Sequence, residues 1–331
     1  MRVSFLDYLR CPDTGGKLRL EIEAERAGEI YSGRLMSLGN NKVYSIHEFI
    51  PRFVEPENYA SSFGLQWNIH RKTQLDSYTG LTVSRDRLFE TSGWSSNLNN
   101  QLILEAGAGA GRFTEVLLST GAKIFSFDYS NAVDANWANN GSNSRLHLFQ
   151  GDIFNIPFPE GIFDKVICLG VLQHTPDPAK AFRCLAKMVK PGGGKIVIDI
   201  YRADIAAYLS WKYLLRPFTK RMNKEKLYRA ISNVTPHLIP AASALRRIAG
   251  RVGARLVPIV EYSHLGLSDE INREWSILDT YDRYSPVHDH PQKVSTVRHW
   301  LLTEGFSDIT VQQGFNGIIA KATRTSPSAE I

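Results

Sequence analysis

The chain has 331 residues, of which 43% are hydrophobic and 22% are charged, a composition typical of a globular protein with one large domain and a small one. It has no run of about 18 apolar residues that would predict a membrane span, and its first residues do not resemble a signal peptide. The cytoplasm is therefore the expected compartment. Three scattered cysteines argue against a disulfide framework and against a zinc site built from cysteines: Cys11, Cys168 and Cys184.

The net charge of +6 is unevenly distributed along the chain. Residues 202–256 contain twelve Lys or Arg and two acids, a local charge of +10, so the rest of the chain is near −4. Such a local excess is either an ordinary solvated helical face or a surface that attracts anionic substrates, lipid headgroups or nucleic acid.

The first 56 residues alternate apolar and polar side chains in two stretches, KLRLEIEA and NKVYSIHEF, with glycine and proline breaks around them. This pattern predicts a small β module at residues 1–56. Residues 57–100 are richer in helix formers and aromatic side chains, and they predict a helical segment.

From residue 101 onward, apolar runs of strand length alternate with helical segments. The runs are LILEAG, KIFSFDYS, LHLFQGD, FDKVICLGV and KIVIDIY, and the helices between them are predicted near 112–120, 131–139 and 178–189. Strands that alternate with helices indicate parallel β-α-β units and a sheet covered on both faces. The expected fold class is therefore α/β, with a doubly wound sheet.

A long insertion at 202–290 interrupts this alternation. It is helical and aromatic at first and then polar. The alternation resumes at 291–324 with a helix, STVRHWLLTEGF, and a closing antiparallel pair that turns near Gly314 to Gly317. The core is thus predicted to combine 101–201 with 291–324, and the insertion is predicted to be a substrate lid.

The most informative segment is an apolar strand, LILEA, that turns into a helix through Gly107, Gly109 and Gly111. Glycines at such a turn let the backbone pass close beneath a ligand and leave helix N-terminal amides free to bind it. The spacing is not the dinucleotide fingerprint G-x-G-x-x-G, because Arg112 stands where the third glycine is required.

Four more motifs follow this loop in order. Asp128 ends the second strand, Gly151-Asp152-Ile153 ends the third, FDKVICLGVLQH contains the fourth, and KPGGG precedes the fifth. With Glu105 ahead of the glycines, the five motifs resemble those of class I S-adenosylmethionine-dependent methyltransferases, over about 101–201 and 293–324. The resemblance implies a Rossmann-like, seven-stranded, mostly parallel sheet and S-adenosylmethionine as the cofactor.

The resemblance also implies roles for individual residues. Asp128 would accept hydrogen bonds from the ribose hydroxyls, Asp152 would take the adenine amino group, and the backbone of Ile153 would contact the adenine ring. The complete set of predicted cofactor-binding residues is Glu105, Gly107, Ala108, Gly109, Gly111, Arg112, Asp128, Tyr129, Asp152, Ile153 and Leu169.

Methyl transfer is an in-line displacement that requires alignment, exclusion of water and, for a hydroxyl acceptor, a base. His174, just past the fourth strand, is a candidate base; alternatively it shapes the pocket or hydrogen-bonds a backbone carbonyl. His288 and His290 are further catalytic candidates. The run His288-Asp289-His290 does not predict a metal site, because in an extended chain the two histidines point one way and the aspartate the other.

Five residues are predicted to contact the substrate. The stretch YASSFGLQW within 57–100 resembles the segment that precedes the first motif in bacterial small-molecule and glycan methyltransferases, and by that resemblance it closes over the cofactor. The predicted substrate residues are Trp67, Arg71, Tyr281, Tyr284 and His288.

The opening LRCPDTGGKL resembles a zinc-ribbon-like module that accompanies methyltransferases and begins Leu-Arg-Cys-Pro-x-Cys-Gly-Gly-x-Leu. Thr14 occupies the position of the second cysteine, and no later cysteine pair follows. Residues 1–56 are therefore predicted to be a metal-free relict used for packing or partner contact.

Residues 205–229 are apolar and aromatic with a basic flank. This pattern predicts contact with a membrane surface or with a phosphorylated or lipid-linked substrate. The alternative is an ordinary lid helix with a solvated basic side, whose length Pro217 limits.

The leading hypothesis is an enzyme that methylates a hydroxyl of a small molecule or cell-surface glycan, which an anionic or lipid-linked carrier can present. Alternatives are RNA or DNA methylation, carbon methylation of a quinone-like ring, and a non-catalytic binding module. Nucleic acid is disfavoured because the turn after the fourth strand lacks an Asn/Asp-Pro-Pro-aromatic motif and Cys168 lies inside a strand. The intact loop and acids disfavour the binding module. The sequence indicates no oligomeric state.

Overall fold

The structure is a computed structural model that describes residues 1–55, 58–204 and 210–326. Its strands, numbered β1 to β11 in chain order, are Leu18–Arg26, Glu29–Ser37, Val43–His47, Ile50–Arg52, Leu102–Ala106, Lys123–Asp128, Leu146–Gln150, Lys165–Leu169, Lys195–Ile200, Phe306–Gly314 and Gly317–Arg324. The α-helices of the described residues, numbered α1 to α10, are Ser61–Ile69, Asp76–Thr79, Val83–Ser92, Arg112–Ser119, Ala132–Asn140, Pro178–Met188, Trp211–Thr219, Lys224–Ala254, Asp269–Tyr284 and Val294–Thr303.

The core sheet has the order β7-β6-β5-β8-β9-β11-β10. Neighbouring strands from β7 to β9 are parallel, whereas β11 is antiparallel to both β9 and β10. This arrangement confirms the predicted α/β fold with a seven-stranded, mostly parallel core. From β5 the chain first adds β6 and β7 on one side of this strand. It then returns and adds β8 and β9 on the other side of β5. Open α/β sheets bind ligands at such a switch point, at the carboxyl ends of the strands.

The first four strands form the predicted small β unit, and they extend this same sheet. β4 pairs in parallel with β7 through Arg52 and Gln150, and β1 to β3 continue the sheet outward. The whole sheet of the described residues therefore has eleven strands. The Phe5 ring lies 4.8 Å from the ring of His147 and 5.9 Å from that of Phe125, so the start of the chain packs into the main core.

The segment that resembles a zinc ribbon forms a hydrogen-bonded turn. The backbone amide of Gly15 donates to the carbonyl of Cys11, and the Cys11 Sγ lies 3.4 Å from the hydroxyl of Tyr44. Within the described ranges, no group of three or more His, Cys, Asp or Glu side chains is arranged to hold a metal.

We expect Phe5→Ala to lower the free energy of unfolding by about 3–5 kcal/mol, because it removes a fully buried aromatic ring from the main core. Phe5 is 1% exposed, whereas its neighbour Val3 is 57% exposed and provides the matched control. Val3→Ala should change the free energy by about 0.5 kcal/mol or less. Urea unfolding of the full chain measures both values. Equal, small effects would mean that the start of the chain does not contribute to the core.

The insertion packs as a helical layer over the carboxyl edge of the sheet. Helices α8 and α9 share an apolar cluster that contains Leu227, Ile231, Ile277, Tyr281 and Tyr284. The long helix α8 bends at residues 249 and 250, whose backbone angles are not helical. Among the described helices, none combines the length and the apolar character needed to span a bilayer.

Helix α9 also contacts the segment that precedes the core. Gln66 Nε2 donates to Asp282 at 2.9 Å, and Gln74 Nε2 donates to Asp279 at 2.9 Å. The two segments that the sequence predicted as a cap and a lid therefore meet above the sheet and enclose a space between them.

Candidate active site

A cavity of about 700 Å³ lies at the carboxyl edge of the sheet. Its walls come from the glycine loop, the ends of the parallel strands, the segment before the core and the insertion. The predicted cofactor or substrate residues that line it are Trp67, Arg71, Gly107, Ala108, Gly109, Arg112, Asp128, Tyr129, Ile153 and Leu169, and the candidate base His174 lines it as well.

The glycine loop passes between two side chains that approach it closely. Gly107, Gly109 and Gly111 all have positive φ angles, of 75°, 52° and 90°. A Cβ at Gly107 would lie 2.2 Å from a methyl group of Val171, and one at Gly109 would lie 3.2 Å from the indole of Trp67. Glycine is therefore required both by the backbone conformation and by the close approach of these neighbours.

Asp128 holds the loop at the carboxyl end of β6. Its Oδ2 accepts a hydrogen bond from the Gly109 amide at 2.9 Å, and its Oδ1 accepts from the amide and hydroxyl of Ser130. Burial raises the pKa of Asp128, while these donors act in the opposite direction. A carboxylate accepts more hydrogen bonds than these three, so Asp128 retains capacity to receive hydroxyl donors from a ligand in the cavity.

Two predicted cofactor residues lie beside the cavity wall rather than in it. Asp152 Oδ1 accepts from the Phe154 amide at 2.9 Å, and burial raises the pKa of its carboxyl. Gly111 is the residue before α4, and a Cβ there would lie 2.3 Å from Asn136 Oδ1. Gly111 therefore lies where α4 packs closely against α5.

Glu105, a predicted cofactor-binding residue, is buried beneath the glycine loop and does not line the cavity. Its Oε2 accepts from Thr114 at 2.5 Å and from Ser126 at 2.8 Å. Its Oε1 is buried without a hydrogen-bond partner among the described residues. Burial raises the pKa of Glu105 to about 7. We infer that Glu105 braces the loop from below.

This raised pKa predicts a pH-dependent stability. Between the ordinary pKa of 4.5 and about 7, the folded protein retains a proton on Glu105 that the unfolded chain releases. The contribution of Glu105 to the free energy of unfolding therefore falls as the pH rises through this window. The free energy of unfolding of Glu105→Gln, relative to that of wild type, should therefore rise by on the order of 2 kcal/mol between about pH 5 and pH 8.

Urea unfolding at both pH values measures this difference. The exposed Glu90 offers a control, because Glu90→Gln should shift stability equally at both pH values. A difference for Glu105→Gln that stays constant with pH would contradict a shifted pKa at this site.

His174 is the predicted catalytic residue that the structure places in the cavity wall. It is buried, and its Nδ1 lies 3.0 Å from the backbone carbonyl of His288. A carbonyl only accepts hydrogen bonds, so the ring proton lies on Nδ1 and Nε2 carries the free lone pair. Burial lowers the pKa of His174 below its ordinary 6.5, which keeps the ring neutral at neutral pH.

The rings of His288 and His290 do not line the cavity. They stack at 5.7 Å from each other, and the His288 ring also contacts Tyr59 at 5.1 Å. The carboxyl of Asp289 points elsewhere, to Lys212 Nζ at 2.8 Å, as the extended-chain argument predicts. His288 thus contributes its carbonyl to His174 instead of a catalytic ring.

Tyr281 and Tyr284 are buried in the insertion and do not reach the cavity, in contrast to the predicted substrate contacts. The Tyr284 hydroxyl donates to the carbonyl of Pro258 at 2.8 Å. Both tyrosines face α8 because helical periodicity turns another face of α9 toward the cavity. That face carries Asp279, Asp282 and Arg283.

Sequence reasoning missed a polar network at the cavity wall. Arg112 donates to Gln74 Oε1 at 2.6 Å, and Gln74 in turn donates to Asp279. Arg87 forms an ion pair of 2.5 Å with the fully buried Asp199 at the end of β9. Asp199 lies in an otherwise apolar strand, KIVIDI. An acid in such a strand is buried and needs a charged partner, so the sequence did offer a signal for this ion pair.

The far end of the cavity is aromatic and basic. Lys212 Nζ lies 4.1 Å from the centre of the Tyr201 ring, and both residues line the cavity. Trp211, Arg251 and Arg255 line it further out, where the insertion meets solvent.

Comparison with known proteins agrees with this geometry. Residues 104–197, from β5 to β9, match the methyltransferase domain family. A ubiquinone biosynthesis O-methyltransferase from Marinobacter nauticus is 28% identical over 192 residues, which cover 56% of this chain and 79% of the relative. An uncharacterized protein from Synechococcus is 25% identical over 230 residues, which cover 65% of this chain and 49% of the relative.

The chain is also similar to a solved structure, that of a putative S-adenosyl-L-methionine-dependent methyltransferase from Methanococcus maripaludis. The sequence identity is 15%, the similarity covers 83% of this chain and 98% of the other, and the TM-score is 0.46.

Proposed function

We propose that the chain, whose residues 104–197 match the methyltransferase domain family, is an S-adenosylmethionine-dependent enzyme that methylates a hydroxyl group of a small-molecule acceptor, with His174 as the general base. The observation that carries this proposal is the hydrogen bond from His174 Nδ1 to the carbonyl of His288. It fixes the neutral tautomer whose Nε2 is able to accept a proton, on a side chain that lines the cavity.

The residues around the glycine loop fit S-adenosylmethionine. The loop bends tightly enough that no Cβ fits at Gly107, and Asp128 keeps acceptor capacity for two ribose hydroxyls. Tyr129, Ile153 and Leu169 offer flat or apolar surface for the adenine and the methionine chain. When bound, S-adenosylmethionine supplies an electrophilic methyl group on a sulfonium.

His174 and its neighbours handle the proton of the acceptor. Nε2 takes the hydroxyl proton as the acceptor oxygen becomes nucleophilic, and the ring becomes an imidazolium. Burial and the charge of Lys212 oppose this charged form, whereas Asp282 and Asp289 favour it, and the His288 carbonyl holds the ring in place. His174 is itself buried, which strengthens these interactions.

The size of the cavity favours a small molecule over a polymer. A volume of about 700 Å³ has to accommodate the cofactor as well as the acceptor, and typical small-ligand pockets occupy about 300–1,000 Å³. The name of the Marinobacter relative supports a hydroxyl on a quinone-related ring as one acceptor class. Carbon methylation of such a ring is the second candidate, because the same cofactor motifs serve both reactions.

The test is an assay of purified protein with S-adenosylmethionine that carries a 13C methyl group. The acceptors are hydroxylated aromatic rings and sugars, and the products are examined by NMR. A methyl ether signal that grows with time supports the proposal. A methyl group attached to ring carbon would overturn O-methylation and favour the second candidate.

A further inference from the structure

Two neighbouring surfaces at the mouth of the cavity expose large apolar side chains. One is the outer face of α7, and the other is the end of α8 beyond its bend. The exposed fractions are 61% for Leu214, 72% for Phe218, 70% for Val252 and 63% for Leu256. Such exposure of large apolar side chains in one region marks an interaction surface.

The outer face of α7 is distinct from the face that packs on the protein. Leu215 joins the apolar cluster of the insertion, Arg216 is buried, and the Thr219 hydroxyl donates to the carbonyl of Tyr284 at 2.9 Å. Leu214 and Phe218, four residues apart, lie on one face of the helix and point away from these contacts.

A hydrogen bond joins the two surfaces. Trp211 Nε1, at the start of α7, donates to the carbonyl of Leu256 at 3.0 Å. Trp211, Arg251 and Arg255 also line the cavity that contains the glycine loop and His174. The apolar surface therefore borders the entrance of the active site.

Exposed cations surround this apolar surface. Lys220, Arg221, Arg247, Arg251 and Arg255 are all exposed, and none forms an ion pair with another described residue. Residues 226–260 contain no Asp or Glu, so no acid of this stretch opposes the charges of Arg247, Arg251 and Arg255. An apolar face flanked by unpaired cations complements a bilayer that contains anionic lipids.

We propose that this docking surface, formed by Trp211, Leu214, Phe218, Val252 and Leu256 with the five cations, binds an anionic lipid bilayer. The proposal extends the predicted membrane contact at 205–229 to the end of α8; residues 205–209 lie outside the described residues. It rests on the proposed function only in one respect: docking places the cavity entrance at the bilayer, so the acceptor is a molecule that partitions into lipid.

Flotation of the full-length protein with vesicles tests this docking. We expect binding to vesicles of equal parts phosphatidylglycerol and phosphatidylcholine, and at least about tenfold weaker binding to phosphatidylcholine alone. Leu214→Glu combined with Phe218→Glu should weaken binding at least about tenfold, because it places charge in the apolar contact. Arg221→Gln combined with Arg247→Gln should weaken binding about tenfold or more and reduce its salt dependence.

The controls are Leu302→Glu and Arg298→Gln, exposed residues of the same types on α10, which should leave vesicle binding unchanged. Equal binding to both vesicle types, or full binding by the Leu214 and Phe218 double variant, would overturn the proposal. Light scattering tests the alternative occupant. A dimer of the wild-type protein that the double variant abolishes would also overturn the proposal, because a second copy of the chain would then cover the surface.

The proposed function is tested separately. None of the four substituted docking residues lines the cavity, so S-adenosylmethionine binding should be retained in all docking variants. Vesicle binding without methyl transfer would reject the function alone, and methyl transfer without vesicle binding would reject the docking surface alone.

Discussion

His174→Gln is expected to lower kcat by about 100- to 10,000-fold, the usual contribution of a general base, and to leave S-adenosylmethionine affinity unchanged. The reason is that the glutamine amide cannot accept the acceptor proton at the position of Nε2, while the glycine loop and Asp128 stay intact. Steady-state kinetics and equilibrium dialysis measure the two quantities. His237→Gln, at an exposed histidine on α8, is the control and should retain full activity.

The pH profile separates a base from a side chain that only shapes the pocket. Burial lowers the pKa of His174 below 6.5, and only the neutral ring accepts a proton. In wild type, kcat/KM should therefore rise with pH through a point below 6.5 and then level off. The residual activity of His174→Gln should lack this rise. An unchanged profile in the variant would assign the rise to another group and reject His174 as the base.

Asp128→Ala should weaken binding of S-adenosylmethionine and of its demethylated product at least about 100-fold, because hydrogen bonds to a charged carboxylate contribute about 1.5–3 kcal/mol each. The variant also releases the Gly109 amide and Ser130, which Asp128 now holds. Equilibrium dialysis with radiolabelled S-adenosylmethionine measures the loss.

Two further variants show whether the loss reflects ligand contact or unfolding. Asp128→Asn keeps the shape of the side chain but loses the charge, so it should bind more weakly than wild type and remain folded. Asp7→Ala removes an exposed carboxyl far from the cavity and should bind as wild type. Wild-type affinity in Asp128→Ala would reject the ribose-binding role of this carboxylate.

The core and its cofactor loop were predictable because their signals are local. Each parallel strand is a short apolar run. The positive φ angles at positions 107 and 109 favour glycine, and the glycines are visible in the sequence. The side chain of Asp177 accepts a hydrogen bond from the Lys180 amide and caps the start of α6. An aspartate directly before a proline is a typical helix start, so this cap is visible in the sequence.

The remaining features depend on contacts between distant segments. The pairing of β4 with β7, which joins the first strands to the core, involves Arg52 and Gln150, almost a hundred residues apart. The sequence does not indicate which face of α9 lines the cavity: the structure turns Asp282 toward the cavity and packs Tyr281 against α8. The hydrogen bond of His174 to a backbone carbonyl was one of the sequence-based alternatives, but its partner His288 could not be predicted, because every residue of the chain offers the same carbonyl group.

The most direct test of the central claim is calorimetric titration of the wild-type protein with S-adenosylmethionine and its demethylated product. The geometry of the loop, Asp128 and the cavity predicts one site per chain with micromolar dissociation constants for both ligands. A folded protein that releases or absorbs no binding heat with either ligand, and shows no binding in dialysis, would contradict the assignment of this cavity as a methyltransferase active site.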